Sequence, residues 1–398
     1  MRDRLQEKVI VITVGRAGED KMTMVNYFKG NEKHEITEEA LQTEIAQYLQ
    51  IDNLSFLIGA GCSSNKVDGE ETGIPGMEAL YDDFFDKNPK LSILKTEMKG
   101  KFDKNLEKLL EVMGAVQIVN SISTIDNDID NKISQVQSFI RKRIQSGLNG
   151  QVVKDIYKGF YTKITQRSRK TPVSIFTTNY DLFNEIALDE LGFPYNNGFT
   201  GTYRRKFNPI SYNYMYVDNM NLNRDVWERV STFFNLIKLH GSISWVRKHD
   251  EIWEQDYNDI QDNETVMIYP TPLKDRTTLM TPYSDLFRVM ENKIVQRNSA
   301  LIVLGYSFSD DHINRVILNG LAVPSFRLII FGRGQNISKL ISLGDSRITV
   351  VNSDDKIQYF KNFVEKVLPS IHPDVEEVLK KLPVNRLVQN FEQEAKDE

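Results

Sequence analysis

Four short apolar runs in this chain each end abruptly in a cluster of small and polar residues, and this repeated pattern constrains the fold most. Leu54–Ile58 stops at Gly59-Ala60-Gly61-Cys62-Ser63, and Val173–Phe176 stops at Thr177-Thr178-Asn179-Tyr180-Asp181. Leu236–Leu239 stops at His240-Gly241-Ser242, and Ala300–Leu304 at Gly305-Tyr306-Ser307-Phe308-Ser309-Asp310-Asp311-His312. Runs this short and predominantly apolar suit strands buried on both faces. Two more, Arg327–Phe331 and Ile348–Val351, follow. Helical patterns lie between them, so the expected fold is α/β with a Rossmann-like parallel sheet. Ligands of such sheets bind outside the carboxyl ends of the strands. The four motifs are therefore expected to converge on one crevice.

Each motif has a structural reading beside a functional one. Gly59 and Gly61 suit a tight strand-to-helix turn, and also the close approach of a diphosphate to backbone N–H groups of the next helix, with the Ser63 hydroxyl as a further donor. Asn179 and Asp181 read either as an Asx turn capping a helix that begins near Leu182 or as crevice groups. Among crevice groups, the amide suits a ribose hydroxyl or a water, and the ionised carboxylate only accepts. His240 is the natural candidate for a general base among five histidines, or a satisfied structural residue beside a strand. Ser307, Ser309 and Asp310 could contact a ribose or cap the helix holding Ile313 and Val316, which places His312 in its first turn and outside the chemistry.

Around this core, residues 8–29 are expected to form a β-hairpin, with Lys8–Val14 and Met22–Phe28 joined through Gly15 and Gly18. A helix starts at Thr37 and runs to about Gln50. Residues 77–166 form a helical insertion with two apolar stripes, Leu106, Leu109, Leu110 and Met113, then Ile133, Val136, Ile140 and Ile144, separated by polar Ser121–Asn131. The segments 195–235 and 246–285 are expected to be long connections that line or cover a site. The division that follows is an N-terminal hairpin and helix (1–50) serving as an appended docking element, the α/β domain (51–355) and a helical tail (356–398).

Composition removes several function classes. With 40% hydrophobic and 26% charged residues, the chain is that of an ordinary globular protein. A net charge of −5 argues against phosphate-backbone binding by bulk electrostatics, so no direct sequence-specific nucleic-acid binding is expected. No apolar run approaches the ~18 residues of a membrane span, and the charged Met1–Glu7 lacks the look of a signal peptide, which points to the cytoplasm. Cys62, the only cysteine, excludes an internal disulfide and a four-cysteine zinc site within one chain.

Taken in order, the motifs resemble those of the sirtuin family: Gly-Ala-Gly-x-Ser, Thr-x-Asn-x-Asp, His-Gly after a strand, and Gly-x-Ser at a later strand end. The resemblance spans residues 51–355. It implies a Rossmann core that binds NAD⁺, with Gly59, Ala60, Gly61 and Ser63 on the diphosphate. It further implies that Asn179 orients the nicotinamide ribose and a water, Asp181 supports the nicotinamide side, His240 is the base, and Gly305 and Ser307 border the adenosine end. Three departures separate the chain from the family's deacylases. The zinc ribbon is missing, so no metal is expected; Gly76-Met77-Glu78 follows Gly73-Ile74-Pro75 where they carry Asp-Phe-Arg; and Thr178 stands where they carry glutamine. In these respects the chain resembles the bacterial sirtuin-like NAD⁺ hydrolases of antiviral defence, with NAD⁺ as substrate. Its size and N-terminal extension are similar to those of subunits that form homo-oligomers and partner a HerA-type hexameric ATPase. An NAD⁺-dependent protein deacylase, and a non-catalytic NAD⁺ or ADP-ribose sensor or scaffold, are the alternatives.

Overall fold

A computed structural model describes residues 23–370, apart from 68, 89–103, 124, 166–168, 170, 219–227, 231, 261–264 and 268–280. Nine strands form the principal sheet: β1 (Met24–Lys29), β2 (Glu32–Thr37), β3 (Asn53–Ile58), β4 (Val173–Thr177), β5 (Tyr195–Asn196), β6 (Phe234–Lys238), β7 (Ser299–Leu304), β8 (Arg327–Phe331) and β9 (Ile348–Asn352). Their spatial order is β2-β1-β9-β8-β7-β3-β4-β6-β5. The seven strands from β9 to β5 are parallel, whereas β1 runs antiparallel to β9 and β2, at the edge, antiparallel to β1.

Alternate residues of each parallel strand enter opposite cores, as the period of two requires. Phe56, Ile58, Ile175 and Leu236 pack on the side of α1 (Glu38–Tyr48), α2 (Met77–Lys87), α3 (Leu106–Asn120), α4 (Ile129–Gly147), α5 (Gln151–Ile164) and α6 (Phe183–Leu191). Leu57, Phe176, Ile237 and Leu301 pack on the side of α7 (Tyr283–Ile294), α8 (Asp311–Gly320) and α9 (Gln335–Ile341). The result is a helix–sheet–helix sandwich of Rossmann type. From β6 the order β6-β4-β3-β7-β8-β9 reverses direction between β3 and β7, which makes the carboxyl end of that pair the topological switch point.

Three expectations need correction. The hairpin is Met24–Lys29 with Glu32–Thr37, turning at Gly30 with φ +60, one strand later than its expected place; Lys8–Val14 lies outside the described residues. It also does not stand apart as an appendage. β1 pairs with β9, and Val25, Leu41 and Ile45 are fully buried in the first core. Thr37 does cap α1, accepting from Ala40 N–H. The polar connections hold a five-stranded antiparallel sheet of Phe199–Thr200, Arg205–Phe207, Gly241–Lys248, Glu251–Glu254 and Thr265–Met267. Four of its strands are two to four residues long, too short to show period-two patterning, and fully buried Trp245 of Gly241–Lys248 packs with Phe199 and Phe207 within it. Of the tail, the described part is one short helical segment ending at Val367, with Phe363 and Val364 buried.

Candidate functional site at the carboxyl ends of the parallel strands

The switch point is closed by backbone meeting backbone. Ile58 and Leu304 are register partners, Gly59 N–H donates to Leu304 O at 2.9 Å, and Gly61 N–H donates to Gly305 O at 3.0 Å. A Cβ on Gly59 would stand 2.5 Å from Gly305 O, so only glycine permits the approach; Gly305 itself turns with φ +62. The loop does not enter a helix as expected. Ala60–Cys62 is one 3₁₀ turn, followed by the hairpin Ser64–Val67 with Glu70–Gly73, and α2 begins only at Met77. Cys62 N–H donates to Gly59 O and Ser63 N–H to Ala60 O, so this turn uses the amides that would otherwise face an anion. Ala60 N–H alone in this loop makes no backbone bond, and Ala60 and Gly61 are exposed.

Behind the loop, one buried network joins the first two motifs. Asn179 Nδ2 donates to Gly59 O at 3.0 Å and to Ser63 Oγ at 2.8 Å, and Ser63 Oγ donates to Asp181 Oδ2 at 2.5 Å. Thr177 Oγ1 donates to Ile58 O and accepts from Asn179 N–H, which ties the β4 end to the β3 end. Flipping the Asn179 amide would set its oxygen against Gly59 O, so its orientation is fixed. Its Oδ1 is then left buried without a hydrogen-bond partner. Such an acceptor costs about 1–3 kcal/mol unless something donates to it.

Ser63 differs from the anion donor expected, whereas Asp181 takes the Asx-turn reading set out for it. Ser63 is buried, with its hydroxyl held between Asn179 and Asp181 and not turned toward an anion. Asp181 is buried as well. It uses Oδ2 on Ser63 and Oδ1 on Phe183 N–H at 3.1 Å, starting α6 as an Asx turn. Burial pushes its carboxyl above the usual carboxylate range, and the Lys238 ammonium opposes that shift. Lys238, only 1% exposed, donates to Asp181 O and to Glu185 Oε1, the latter at 2.9 Å. This cation beneath the site escaped the sequence reading, because it sits inside the apolar run Leu236–Leu239.

The third and fourth motifs meet each other. His240 Nε2 lies 3.1 Å from Asp310 Oδ2, in contact range for an ion pair but without the alignment of a hydrogen bond. The other oxygen of Asp310 caps α8, accepting from His312 N–H at 3.0 Å. Asp310 therefore caps the helix and faces the imidazole at once; the sequence signal was only that of a cap. Gly241, at φ +87, lets the chain pass under Val266, whose carbonyl would stand 2.2 Å from a Cβ there. Ser307 is exposed, its Oγ bonded to Ser309, and Asn336 Nδ2 braces the loop through Phe308 O at 2.9 Å. Among the described residues no group of His, Cys, Asp and Glu is placed to hold a metal ion.

Glycines crossing at the switch point, an amide fixed behind them and a histidine–carboxylate pair across the strand ends thus lie where sheets of Rossmann type hold their ligands. Residues 173–323 match the family model described as a SIR2-like domain. That stretch, from β4 past the end of α8, is similar to a SIR2-like domain, which supports an NAD-related activity in the broad sense. The match contains Asn179, His240 and Gly305, while the Gly59 loop lies before it. No curated protein matches the chain. Among the described residues no helix is long and apolar enough to cross a membrane.

Proposed function

We propose that the chain is an NAD⁺ glycohydrolase that cleaves the nicotinamide–ribose bond to give nicotinamide and ADP-ribose. The observation that carries this is the Asn179 amide. Both its donor hydrogens are committed to the Gly59 loop, and its acceptor oxygen has no partner. A ribose hydroxyl or a water would satisfy it. As the C1′–N bond breaks, its electron pair passes to the pyridinium nitrogen, neutral nicotinamide leaves, and the ribose becomes oxocarbenium-like. Asn179 places the water that adds to C1′, and His240 takes the water's proton. The Asp310 carboxylate then stands beside the imidazolium so formed. A strong nucleophile is unnecessary; holding the ribose and directing one water suffice. Ala60 N–H and the exposed backbone of Gly61 are left for the diphosphate, with Gly305 and Ser307 toward the adenosine end.

Thr178, and Gly76-Met77-Glu78 after Gly73-Ile74-Pro75, favour hydrolysis over deacylation. An acyl-peptide assay separates the two, since deacylation yields acyl-ADP-ribose and hydrolysis yields ADP-ribose. The resemblance extends the proposal to NAD⁺ depletion in antiviral defence, within a homo-oligomer that a HerA-type ATPase joins. Nicotinamide release is therefore to be followed with and without that ATPase. Asn179→Ala and His240→Ala are each expected to lower release about 10²–10⁴-fold while the protein stays folded. Wild-type release from both would refute the assignment.

A further inference from the structure

A second polar constellation lies at the other end of the same strands. Ser55 on β3, Ser174 on β4 and Asn235 on β6 are register partners in sequence across the sheet. Matched positions of adjacent parallel strands point to one face, so the three form a row. Two residues further on, Leu57, Phe176 and Ile237 share that face and pack in the core of α7. Strands buried on both faces normally carry apolar residues throughout. These three polar residues are 4%, 2% and 3% exposed, yet none of their side chains hydrogen-bonds to another described residue. They line a cavity of about 280 Å³.

Lys293, in the last turn of α7, lines the same cavity and has no ion-pair or hydrogen-bond partner among the described residues. Burial pushes its ammonium below the ordinary lysine value, and no carboxylate opposes that shift. A lysine at a helix carboxyl end is favoured by the helix dipole. That accounts for the lysine but not for the row of polar groups beside it. Tyr214 and Met215, 54% and 60% exposed, form the rim.

We infer that this cavity binds a small organic anion, its phosphate or carboxylate on Lys293, its other polar atoms on Ser55, Ser174 and Asn235, and a flat ring against Tyr214 and Met215. The volume lies just under the ~300 Å³ at which drug-sized sites begin, which suits a ligand well short of a dinucleotide. Four residues separate Ser55 from Gly59, and five separate Ser174 from Asn179 and Asn235 from His240. At about 3.3 Å per residue, the cavity stands roughly 13–17 Å from the carboxyl-end site. It is a second site, and its occupancy does not depend on the reaction proposed there.

Full-length chain carrying ¹³C-methyl methionine reports on the cavity through Met215, whose signal a Met215→Leu variant assigns. Adenosine 5′-monophosphate and benzoate probe phosphate and carboxylate ligands respectively, with neutral adenosine as the control. The Met215 signal is expected to move saturably with at least one of the two anions and to stay in place with adenosine. Lys293→Gln is expected to weaken that binding about tenfold or more, the worth of one charge-assisted bond. Ser174→Ala removes one hydroxyl and little packing, and is expected to weaken it by a smaller factor. The methyl spectra of both variants show whether they are folded. A Met215 signal that ignores both anions, or follows adenosine equally well, overturns the inference. So does an affinity that neither substitution changes.

Discussion

The two ends of β3, β4 and β6 carry polar side chains of the same kinds, serine, asparagine and lysine, in opposite states. At the carboxyl end, Ser63, Asn179 and Lys238 are fastened to one another's neighbourhood through Asp181, Gly59 O and Glu185. At the amino end, Ser55, Ser174, Asn235 and Lys293 border a cavity and bond to nothing described. One sheet thus presents a set of groups already ordered by the protein and another whose partners must come from outside. The first arrangement suits chemistry, where preorganised groups need no reordering as charge develops. The second suits binding, where an incoming ligand supplies the bonds.

The sharpest way to break this comparison is to remove the cation under the ordered end. Lys238→Met leaves the Asp181 and Glu185 carboxylates buried without their opposing charge. Loss of one partner of a buried pair typically costs about 3–5 kcal/mol. Burial already raises both carboxyls, and Lys238 opposes it in each case. Without the lysine they rise further. A carboxyl raised in the fold binds protons that the unfolded chain has released, so stability falls as pH rises through the window between the two values. The variant's deficit should accordingly be largest at about pH 7 and shrink toward about pH 5, nearer the ordinary carboxylate range. Urea unfolding at both pH values measures it, and a deficit under about 1 kcal/mol, or one independent of pH, would show that this lysine is not the keystone.

A smaller effect isolates the histidine's partner. Asp310→Asn keeps an N-cap of comparable quality for α8. It removes the carboxylate that stands 3.1 Å from His240 Nε2. Nicotinamide release is expected to fall about ten- to a hundredfold with the melting temperature nearly unchanged, since the coupling of a close charge pair is about 1.5 kcal/mol or more. Asp310→Ala, which also loses the cap, should fall further and destabilise the protein as well. An undiminished rate in Asp310→Asn would leave the carboxylate a cap and nothing more.

What could be read from the sequence follows the same division. Six of the seven parallel strands were legible to within a residue or two, because burial on both faces writes them as largely apolar runs bounded by glycine and polar residues, whereas the two-residue β5 lay inside an expected connection. Those bounds also marked the carboxyl-end motifs. Pairing partners were not legible. Asp310 carries the local signature of a cap, and nothing near it in the chain points to an imidazole seventy residues earlier. Gly59 and Gly61 suggested an anion cradle, but the i→i+3 bonds of a 3₁₀ turn depend on how Gly305 crosses them. The hairpin was misplaced because Lys8–Val14 has strand composition, whereas the observed second strand, Glu32–Thr37, is polar and half-buried. Ser55, Ser174 and Asn235 each look like a single blemish in an apolar run, and only register shows that they align.

The mildest perturbation compares the two ends with one chemical change. Ser63→Ala removes a hydroxyl that donates to Asp181 at 2.5 Å and accepts from Asn179 at 2.8 Å. Two buried groups lose their partner together, and the expected destabilisation is about 1–3 kcal/mol. Ser174→Ala removes a hydroxyl of equal burial that bonds to no described residue and faces an open cavity, where solvent can serve it. Alanine there loses no protein bond, so stability should shift by less than about 0.5 kcal/mol in either direction. The same denaturation series run on both variants yields the difference directly. Equal losses would mean that Ser174 is held by a contact as firm as that of Ser63, and the amino end would then be an ordinary piece of core, leaving no free polar row for a ligand to meet.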